Sequence, residues 1–420
     1  MRKLWLTHLL FALVGLWTCP PSADAAENDG GRFRQDRFAI GAFWLTFPDD
    51  EKLDERFREI AAANFTLVFG PVGGFSAENA KQHIELCGKH DLRAIVLCRG
   101  VPDDKLPAGP ACWGYRLWDE PNANMFDGLA KRVEELRKTR PGRLGYINLY
   151  PNYANSKQLG ADNYEEYVKR FVDTVDIDIL CMDHYPPFKP KNDGRRRYCQ
   201  NLETMRKYSL QKSIPFWNYF NVMPFGPHTD PTESQIRWQI YTSLAYGAKG
   251  VIYFNYGTPK TFEFPKGSGI VRRDGTRSRH WFQARRINRG LKNLGPTLMQ
   301  LTSRGVYRVE PGDDPASVLA GTPLKTIVRA DVDPDHDYLV GTFQHADGRR
   351  AVLLNNYRFA YTAWPTVEFD APAEQVREID KRTGKAVPAY DDSPEMPGLQ
   401  ISLDAGEGRL FLLPPKSDAR

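Results

Sequence analysis

The strongest constraint on the fold is a regular alternation of short apolar runs with amphipathic helical patterns between residues 38 and 259. Such alternation predicts parallel strands joined by helical crossovers, and eight strand runs predict a closed (β/α)8 barrel. The predicted strands are 40–47, 65–70, 92–98, 114–118, 144–150, 177–182, 215–220 and 250–256. The predicted helices are 53–63, 77–90, 124–138, 164–175, 201–209 and 233–246, with 283–294 as the closing helix. An open doubly wound sheet is the alternative, and it ranks lower because no glycine-rich phosphate loop follows the first strand.

The pattern changes after about residue 301, where helical periodicity gives way to short alternating runs separated by turn residues. These runs are 325–330, 338–344, 350–355, 366–369, 375–379, 399–403 and 409–413. Strands at this spacing without helices predict a β-sandwich. The sequence therefore predicts a barrel over residues 36–301 and an accessory sandwich domain over residues 304–416.

The N-terminal segment has the features of a secretory signal peptide. Arg2 and Lys3 precede an apolar run over residues 4–17, and Ala23 and Ala25 supply the small residues of a cleavage site. We therefore expect residues 1–25 to be removed and the protein to be secreted or periplasmic, with a lipid anchor at Cys19 left open. The apolar run is too short to span a bilayer and no later run is long enough, so no membrane span is predicted.

Composition restricts the partners. A formal net charge of +5 is small for 420 residues, and no basic helix or patch of interleaved aromatic and basic residues points to nucleic acid. The remaining cysteines and the histidines show no metal-ligand spacing, so neither a metal nor another cofactor is predicted. The oligomeric state is left open.

The most informative motif is residues 113–121, an aromatic run that ends in Asp119, Glu120 and Pro121. Proline cannot donate to a strand ladder, so the two acids lie at the carboxyl end of the predicted fourth strand. In an α/β barrel that end carries the catalytic residues, and paired carboxylates are the usual means of cleaving a glycosidic bond. We predict Glu120 as a general acid and Asp119 as a residue that stabilises positive charge or positions a substrate group.

Other strand ends carry polar and aromatic residues that would converge on the same cleft. Asp183, at the end of the sixth strand, is the third catalytic candidate. Aromatic faces and polar edges suit a carbohydrate. The predicted substrate-binding residues are Trp44, Arg99, Tyr150, Asn152, His184, Tyr185, Trp217, Asn218, Tyr219, Asn255 and Tyr256. Simpler roles compete with these: Asp119 or Glu120 would cap the next helix, His184 would be structural, and Trp217 would pack in a core.

The 113–121 segment, the His184-Tyr185 pair and the order of barrel then sandwich resemble the clan A glycoside hydrolases. The resemblance implies that Glu120 is the acid/base, but it also implies a nucleophilic Glu at the end of the seventh strand, where residues 216–221 contain no acid. The Asp119–Glu120 pair is also similar to glycoside hydrolase families 20 and 123. That resemblance implies that the acetamido group of the substrate attacks, oriented by Asp119, with Glu120 as the acid.

Several mechanisms therefore stay open. Asp183 would serve as the base of an inverting reaction, Glu263 is a less defined candidate, and substrate assistance needs no second attacking carboxylate. Two rivals to a hydrolase also remain. One is a non-catalytic carbohydrate-binding protein, and the other is a polysaccharide lyase in which Arg99 and Arg116 neutralise a uronate.

Overall fold

A computed structural model describes residues 30–47, 52–261, 264, 266–329 and 337–416. The predicted signal peptide at residues 1–25, including Cys19, lies outside the described residues, as does Glu263. Within the described part, a parallel barrel is followed by an antiparallel sandwich. The predicted fold class is confirmed.

Eight parallel strands form the barrel. They are β1 (Ala39–Ala42), β2 (Leu67–Gly70), β3 (Arg93–Val96), β4 (Cys112–Asp119), β5 (Leu144–Asn148), β6 (Leu180–Asp183), β7 (Phe216–Asn221) and β8 (Gly250–Phe254). Neighbours pair in chain order from β1 to β5 and from β6 to β8, and β8 pairs with β1. Between β5 and β6 one bridge joins Leu149 to Met182, so the barrel is nearly closed at this seam. The cyclic strand order excludes the open doubly wound sheet.

The helices surround the barrel. They are α1 (Leu53–Ala62), α2 (Ala77–Lys89), α3 (Phe126–Thr139), α4 (Ser156–Leu159), α5 (Tyr164–Thr174), α6 (Arg195–Lys212), α7 (Glu233–Ala245) and α8 (Arg279–Met299). Ser76, Asn163, Thr232 and Ser278 cap four of them through side-chain oxygens that accept backbone N–H groups. α6 begins earlier than predicted, because its first turn is a run of arginines without an apolar period.

The barrel interior is filled by side chains from alternate positions of the strands. The Tyr146 hydroxyl donates to the Tyr219 hydroxyl at 3.0 Å, and Trp113 and Trp217 form part of the same apolar cluster. The segment before β1 closes the amino end, where Gln35 Oε1 accepts from Trp217 Nε1 at 3.0 Å. The carboxyl end of the barrel is therefore where the interior meets a cleft.

The sandwich consists of a larger and a smaller antiparallel sheet. Its strands are β9 (Leu301–Val309), β10 (Leu324–Arg329), β11 (Tyr338–His345), β12 (Arg350–Asn356), β13 (Pro365–Phe369), β14 (Arg377–Ile379), β15 (Ala386–Pro388), β16 (Leu399–Gln400) and β17 (Gly408–Leu413). The orders are β9-β11-β12-β17-β14-β15 and β10-β13-β16. Two strands, β9 and β15, and the one-turn helix α9 (Pro315–Val318) were not predicted. β9 was missed because it follows α8 almost without a break.

The barrel and the sandwich pack directly on each other through α7 and the larger sheet. Leu339 and Leu353 of the sandwich belong to the same buried cluster as the barrel helices. Asn355 Nδ2 donates to the Tyr241 carbonyl at 2.7 Å, and Ser234 Oγ donates to the Phe359 carbonyl at 2.7 Å. A shared apolar core with buried hydrogen bonds makes this a rigid junction.

Two further features bear on the sequence predictions. The thiols of Cys87, Cys98, Cys112, Cys181 and Cys199 are all unpaired. Among the described residues, no helix combines the length and the apolar composition needed to cross a bilayer.

Candidate active site

The strand end that carries Asp119 and Glu120 is irregular. The register of β4 against β5 shifts just after Arg116, a bulge of the kind that re-aims side chains. Glu120 then adopts the left-handed conformation with φ of 50°, and its N–H donates to the Asn148 carbonyl at 2.8 Å. Consecutive residues of a regular strand point to opposite faces, so this turn lets both carboxyl groups lie close enough to interact with Asp183.

Asn148 joins two of the three acids. Its Nδ2 donates to Asp119 Oδ1 at 3.2 Å and to Asp183 Oδ1 at 3.1 Å. Asp119 also accepts from Arg116 at 2.6 Å and is half-exposed, whereas Asp183 is buried. The side-chain amide of Asn148 on β5 thus holds Asp119 of β4 and Asp183 of β6 together, and Glu120 follows Asp119 directly.

The protonation of this cluster is shifted from that of ordinary acids. Burial, followed by the charges of Asp183 and Asp119, raises the pKa of Glu120 to about 8. Burial and the Asp119 charge raise the pKa of Asp183 to about 7, against hydrogen bonds from Asn148 and Tyr185 that favour its ionised form. The site can therefore hold a protonated carboxyl group beside an ionised one near neutral pH.

The alternative that these acids cap the next helix is not supported. Asn122 caps the short 3-10 helix that lies between β4 and α3, because its Oδ1 accepts from the Asn124 N–H at 3.0 Å. Asp119 and Glu120 are thereby left for other roles.

His184 and Asn152 are both bonded to the side chain of Asn201. His184 is buried, and its Nδ1 lies 2.9 Å from Asn201 Oδ1. The same oxygen accepts from the Asn152 N–H at 2.8 Å. Burial lowers the pKa of His184 to about 3, so the ring stays neutral. Both residues hold the loops after β5 and β6, and their substrate-binding roles stay predictions.

Trp44 and Phe254 line two adjacent cavities above the barrel, which together are called the cleft below. A cavity of about 440 Å³ extends towards Phe75 and is also lined by Arg116 and Asp119. A second cavity of about 870 Å³ extends towards residues 224–230 after β7, and Trp44 and Phe254 line it too. Trp44 therefore lies where the sequence predicts, and a substrate in the cleft would meet Asp119.

The remaining predicted residues near the cleft take different positions. Tyr150 is half-buried. Burial is the main cause that raises the pKa of its hydroxyl, and the charges of Glu120 and Asp119 add to it, so Tyr150 lies near these acids. Tyr219 lies beneath the cleft, with its ring 5.1 Å from that of Phe43. Tyr185 is buried and its ring packs 4.7 Å from Phe254. The guanidinium of Arg99 is exposed and lies 4.6 Å from the Phe75 ring centre, at the rim.

Two predicted residues on β7 do not reach the cleft. Trp217 is fully buried in the lower barrel, 5.9 Å from the Trp113 ring. Asn218 is also fully buried and faces the helices, where its Nδ2 donates to the Tyr198 hydroxyl at 2.6 Å. The sugar-binding roles predicted for them are wrong, because Trp217 lies too low on the inner face and Asn218 is on the outer face.

Two predicted residues after β8 are likewise buried away from the cleft. Tyr256 packs outside the barrel with its ring 5.5 Å from that of Phe65. Asn255 is fully buried, and its Nδ2 lies 3.8 Å from Met223 Sδ. The preceding residue, Phe254, takes the position in the cleft that was expected of them.

Sequence reasoning missed Asn148 and Phe254 as site residues. Asn148 was detectable, since it is a polar residue near the end of the fifth predicted strand, 144–150, but no role was assigned to it. Phe254 gave no distinct signal, because it continues the apolar run of β8. β7 contains no acidic residue, so its end supplies no further carboxylate. In the described part of the chain, no group of three or more His, Cys, Asp or Glu side chains is arranged to hold a metal ion.

Comparisons with known proteins bear on the fold. No protein-family model matches this chain, and no curated protein sequence does. The structure is similar to that of a catalytic mutant of Gan42B, a GH42 β-galactosidase from G. stearothermophilus, with a TM-score of 0.59 and 9% identity over 91% of this chain and 99% of that one. Matches at lower TM-scores include a glycoside hydrolase family 5 protein from Bacteroides vulgatus ATCC 8482, at 0.46 and 11% identity over 93% and 92% of the two chains.

A β-galactosidase from the psychrophilic Marinomonas ef1 also matches, at a TM-score of 0.46 and 12% identity. That alignment covers 61% of this chain, which spans about 60% of the length of the β-galactosidase. The likeness to the GH42 β-galactosidase, at a TM-score of 0.59 and 9% identity, shows a shared fold alone. The chain therefore has the (β/α)8 fold that clan A glycoside hydrolases adopt.

Proposed function

We propose that this protein is a glycoside hydrolase in which Glu120 protonates the leaving glycosidic oxygen. The observation that carries the proposal is the position of Glu120, a half-buried carboxyl group at the carboxyl end of a barrel strand and next to two more acids. Burial and the neighbouring charges hold its pKa at about 8. A general acid has to be protonated at the working pH, so this environment suits the role.

Asp183 is the second carboxylate that such a reaction needs, as the base that activates water in an inverting displacement. It lies two strands from Glu120, and after burial its charge is the largest influence on the pKa of Glu120. Hydrogen bonds from Asn148 and Tyr185 favour its ionised form, which a base requires. Asp119, which lines the cleft, would then position a substrate hydroxyl.

Substrate assistance is the second candidate mechanism. It is favoured by the absence of an acid from β7 and by the half-exposed carboxylate of Asp119 beside Glu120. It requires a 2-acetamido sugar and retention of the anomeric configuration, whereas the Asp183 mechanism gives inversion and accepts a free 2-hydroxyl. Proton NMR of the first-formed anomer, together with inhibition by a thiazoline mimic of the cyclised intermediate, separates the two.

The two rival classes fit the site less well. A non-catalytic binding protein has no need for a cluster of carboxyl groups in which burial raises the pKa values of Glu120 and Asp183, because shifts of this kind are typical of catalytic sites. A lyase needs a base and a cation near the uronate. His184 is buried and its Nδ1 lies 2.9 Å from Asn201 Oδ1, so it is engaged elsewhere and does not suit the role of the base. Arg116 is paired with Asp119, which leaves Arg99 at the rim as the other arginine of this alternative.

We also propose that the protein is exported, on the basis of the signal-peptide pattern in residues 1–25. Expression of the full chain followed by N-terminal sequencing of the mature protein tests this. A product that begins after Ala25 supports export, and an uncleaved cytoplasmic product contradicts it.

The activity is tested with Glu120→Gln, which keeps the shape of the side chain but cannot donate the proton. General acid catalysis is worth a factor of roughly 10² to 10⁴. We expect a loss of that order on oligosaccharides and a smaller loss on aryl glycosides, whose leaving groups need little protonation. Glu135→Gln, an exposed glutamate on α3, is the matched control and should keep full activity. Equal activity of the Glu120→Gln and control variants on oligosaccharides would remove Glu120 from this role.

A further inference from the structure

The rim of the cleft carries cations at both ends. Arg99 stands over Phe75, which lines the smaller cavity, and Lys189 and Lys266 line the larger cavity. All three side chains are exposed, and none forms a salt bridge within the described residues. Trp44 and Phe254 line both cavities, so the three cations lie around two adjacent cavities.

The acidic groups of the cleft offset these cations only in part. Asp119 is paired with Arg116 at 2.6 Å, and Asp230 in the larger cavity is paired with Arg279 at 2.8 Å. His228, which lines the same cavity, is kept neutral chiefly by burial and additionally by the charge of Lys189, which together lower its pKa to about 4. Among the described residues, the rim therefore presents positive charge that has no protein partner.

From this arrangement we infer that the cleft takes a polymeric carbohydrate that bears anionic groups, carboxylate or sulfate, on more than one residue. The inference rests on the proposed glycosidase function and names its substrate class. Clefts lined by charge of one sign concentrate ligands of the opposite sign, and the charge at the two ends matches a ligand that spans both cavities. Stacking on Phe75 also holds the Arg99 guanidinium in a defined plane, which suits a planar carboxylate or a sulfate.

The centre of the cleft is compatible with such a ligand. The raised pKa values of Glu120 and Asp183 mean that part of the acidic cluster is uncharged near neutral pH, which lessens repulsion of an anionic chain. Aromatic rings at Trp44 and Phe254 would contact the sugar faces between the cationic ends.

Binding is measured in the Glu120→Gln background, so that no hydrolysis occurs. The probes are polygalacturonate for carboxylate, dextran sulfate for sulfate and galactomannan as a neutral polymer, each cast in native affinity gels. The test variant is Arg99→Glu/Lys189→Glu/Lys266→Glu. The matched control is Lys131→Glu/Lys325→Glu/Lys385→Glu, which makes the same change in charge at exposed lysines away from the cleft.

We expect the parent protein to be retarded by one or both acidic polymers more than by galactomannan, and added salt to weaken the effect. The cleft variant should lose affinity by about 10-fold or more, while the control variant should lose less than about 3-fold. A preference for polygalacturonate or for dextran sulfate identifies the anionic group. Equal retardation by galactomannan, or equal losses in the two variants, overturns the inference. Neither result affects the hydrolysis test of Glu120, so the two proposals fail separately.

Discussion

Replacing Asp119 with asparagine tests how the three acids of the site act on one another. Asp119 Oδ1 and Asp183 Oδ1 accept from the same nitrogen of Asn148 at 3.2 and 3.1 Å. The two oxygens are therefore at most about 6 Å apart, where two unit charges repel by roughly 3 kcal/mol at an effective dielectric constant of about 20. That energy corresponds to about two pKa units before water screens the charges.

The expected shift is smaller because the Asp119 side chain is 48% exposed and water screens its charge. We expect Asp119→Asn to lower the pKa of Asp183 by about one unit and that of Glu120 by somewhat less. Removing a negative charge makes ionisation of the remaining acids easier, so both limbs of the pH profile should move to lower pH. The assay is the pH dependence of kcat/KM on a cleavable oligosaccharide.

In the mechanism with Asp183 as base, the variant keeps activity within about tenfold at its own optimum, since Asp119 neither donates nor accepts the transferred proton. Asp392→Asn, an exposed acid in the sandwich, is the control and should leave the profile unmoved. An unshifted profile in Asp119→Asn would refute the coupling. A loss of several orders of magnitude, restricted to 2-acetamido sugars, would refute Asp183 as the base and favour substrate assistance.

Three more predictions follow from the packing and electrostatics. The pH profile of kcat/KM should be a narrow bell, falling above pH 8 as Glu120 ionises and below pH 7 as Asp183 is protonated; a profile flat across the neutral range contradicts both assignments. Asn148→Ala removes a hydrogen bond to ionised Asp183 that is worth roughly 1.5 to 3 kcal/mol. The acid limb should therefore move up by about one pH unit, and a downward shift would show that Asn148 does not stabilise the ionised form. Trp217→Ala empties part of the barrel interior and removes the donor to Gln35 Oε1, so the free energy of unfolding in urea should fall by roughly 3 to 5 kcal/mol; a loss below about 1 kcal/mol would mean that Trp217 is not a packed core residue.

The sequence was most informative where local pattern and chain position act together. Proline after Asp119 and Glu120 ends a strand whatever the tertiary context, so the acids had to lie at a strand end. Asp183 was recognised in the same way, as the polar residue that closes an apolar run. The three acids lie in one cluster because the carboxyl ends of parallel strands meet at one edge of a barrel.

The sequence was least informative about which face each residue occupies within a strand end. The β7 segment 216–221 has polar and aromatic residues on both faces, so its pattern could not separate Asn218 on the outer face from Tyr219 on the inner face. The pattern also could not show how far along the barrel axis each residue lies, which is why Trp217 was expected in the cleft. The packing of Trp113, Gln35 and Tyr146 around it decided otherwise.

The sequence by itself determined the barrel, the sandwich and the strand ends that bear Asp119, Glu120 and Asp183, because periodicity and proline act over a few neighbouring residues. Only the tertiary structure decided that Asn148 would bridge two of these acids and that a left-handed turn would aim Glu120 towards them. It also decided that Phe254 would occupy the cleft. Those outcomes depend on strand register, on a bulge and on burial, which arise from contacts between residues far apart in the chain.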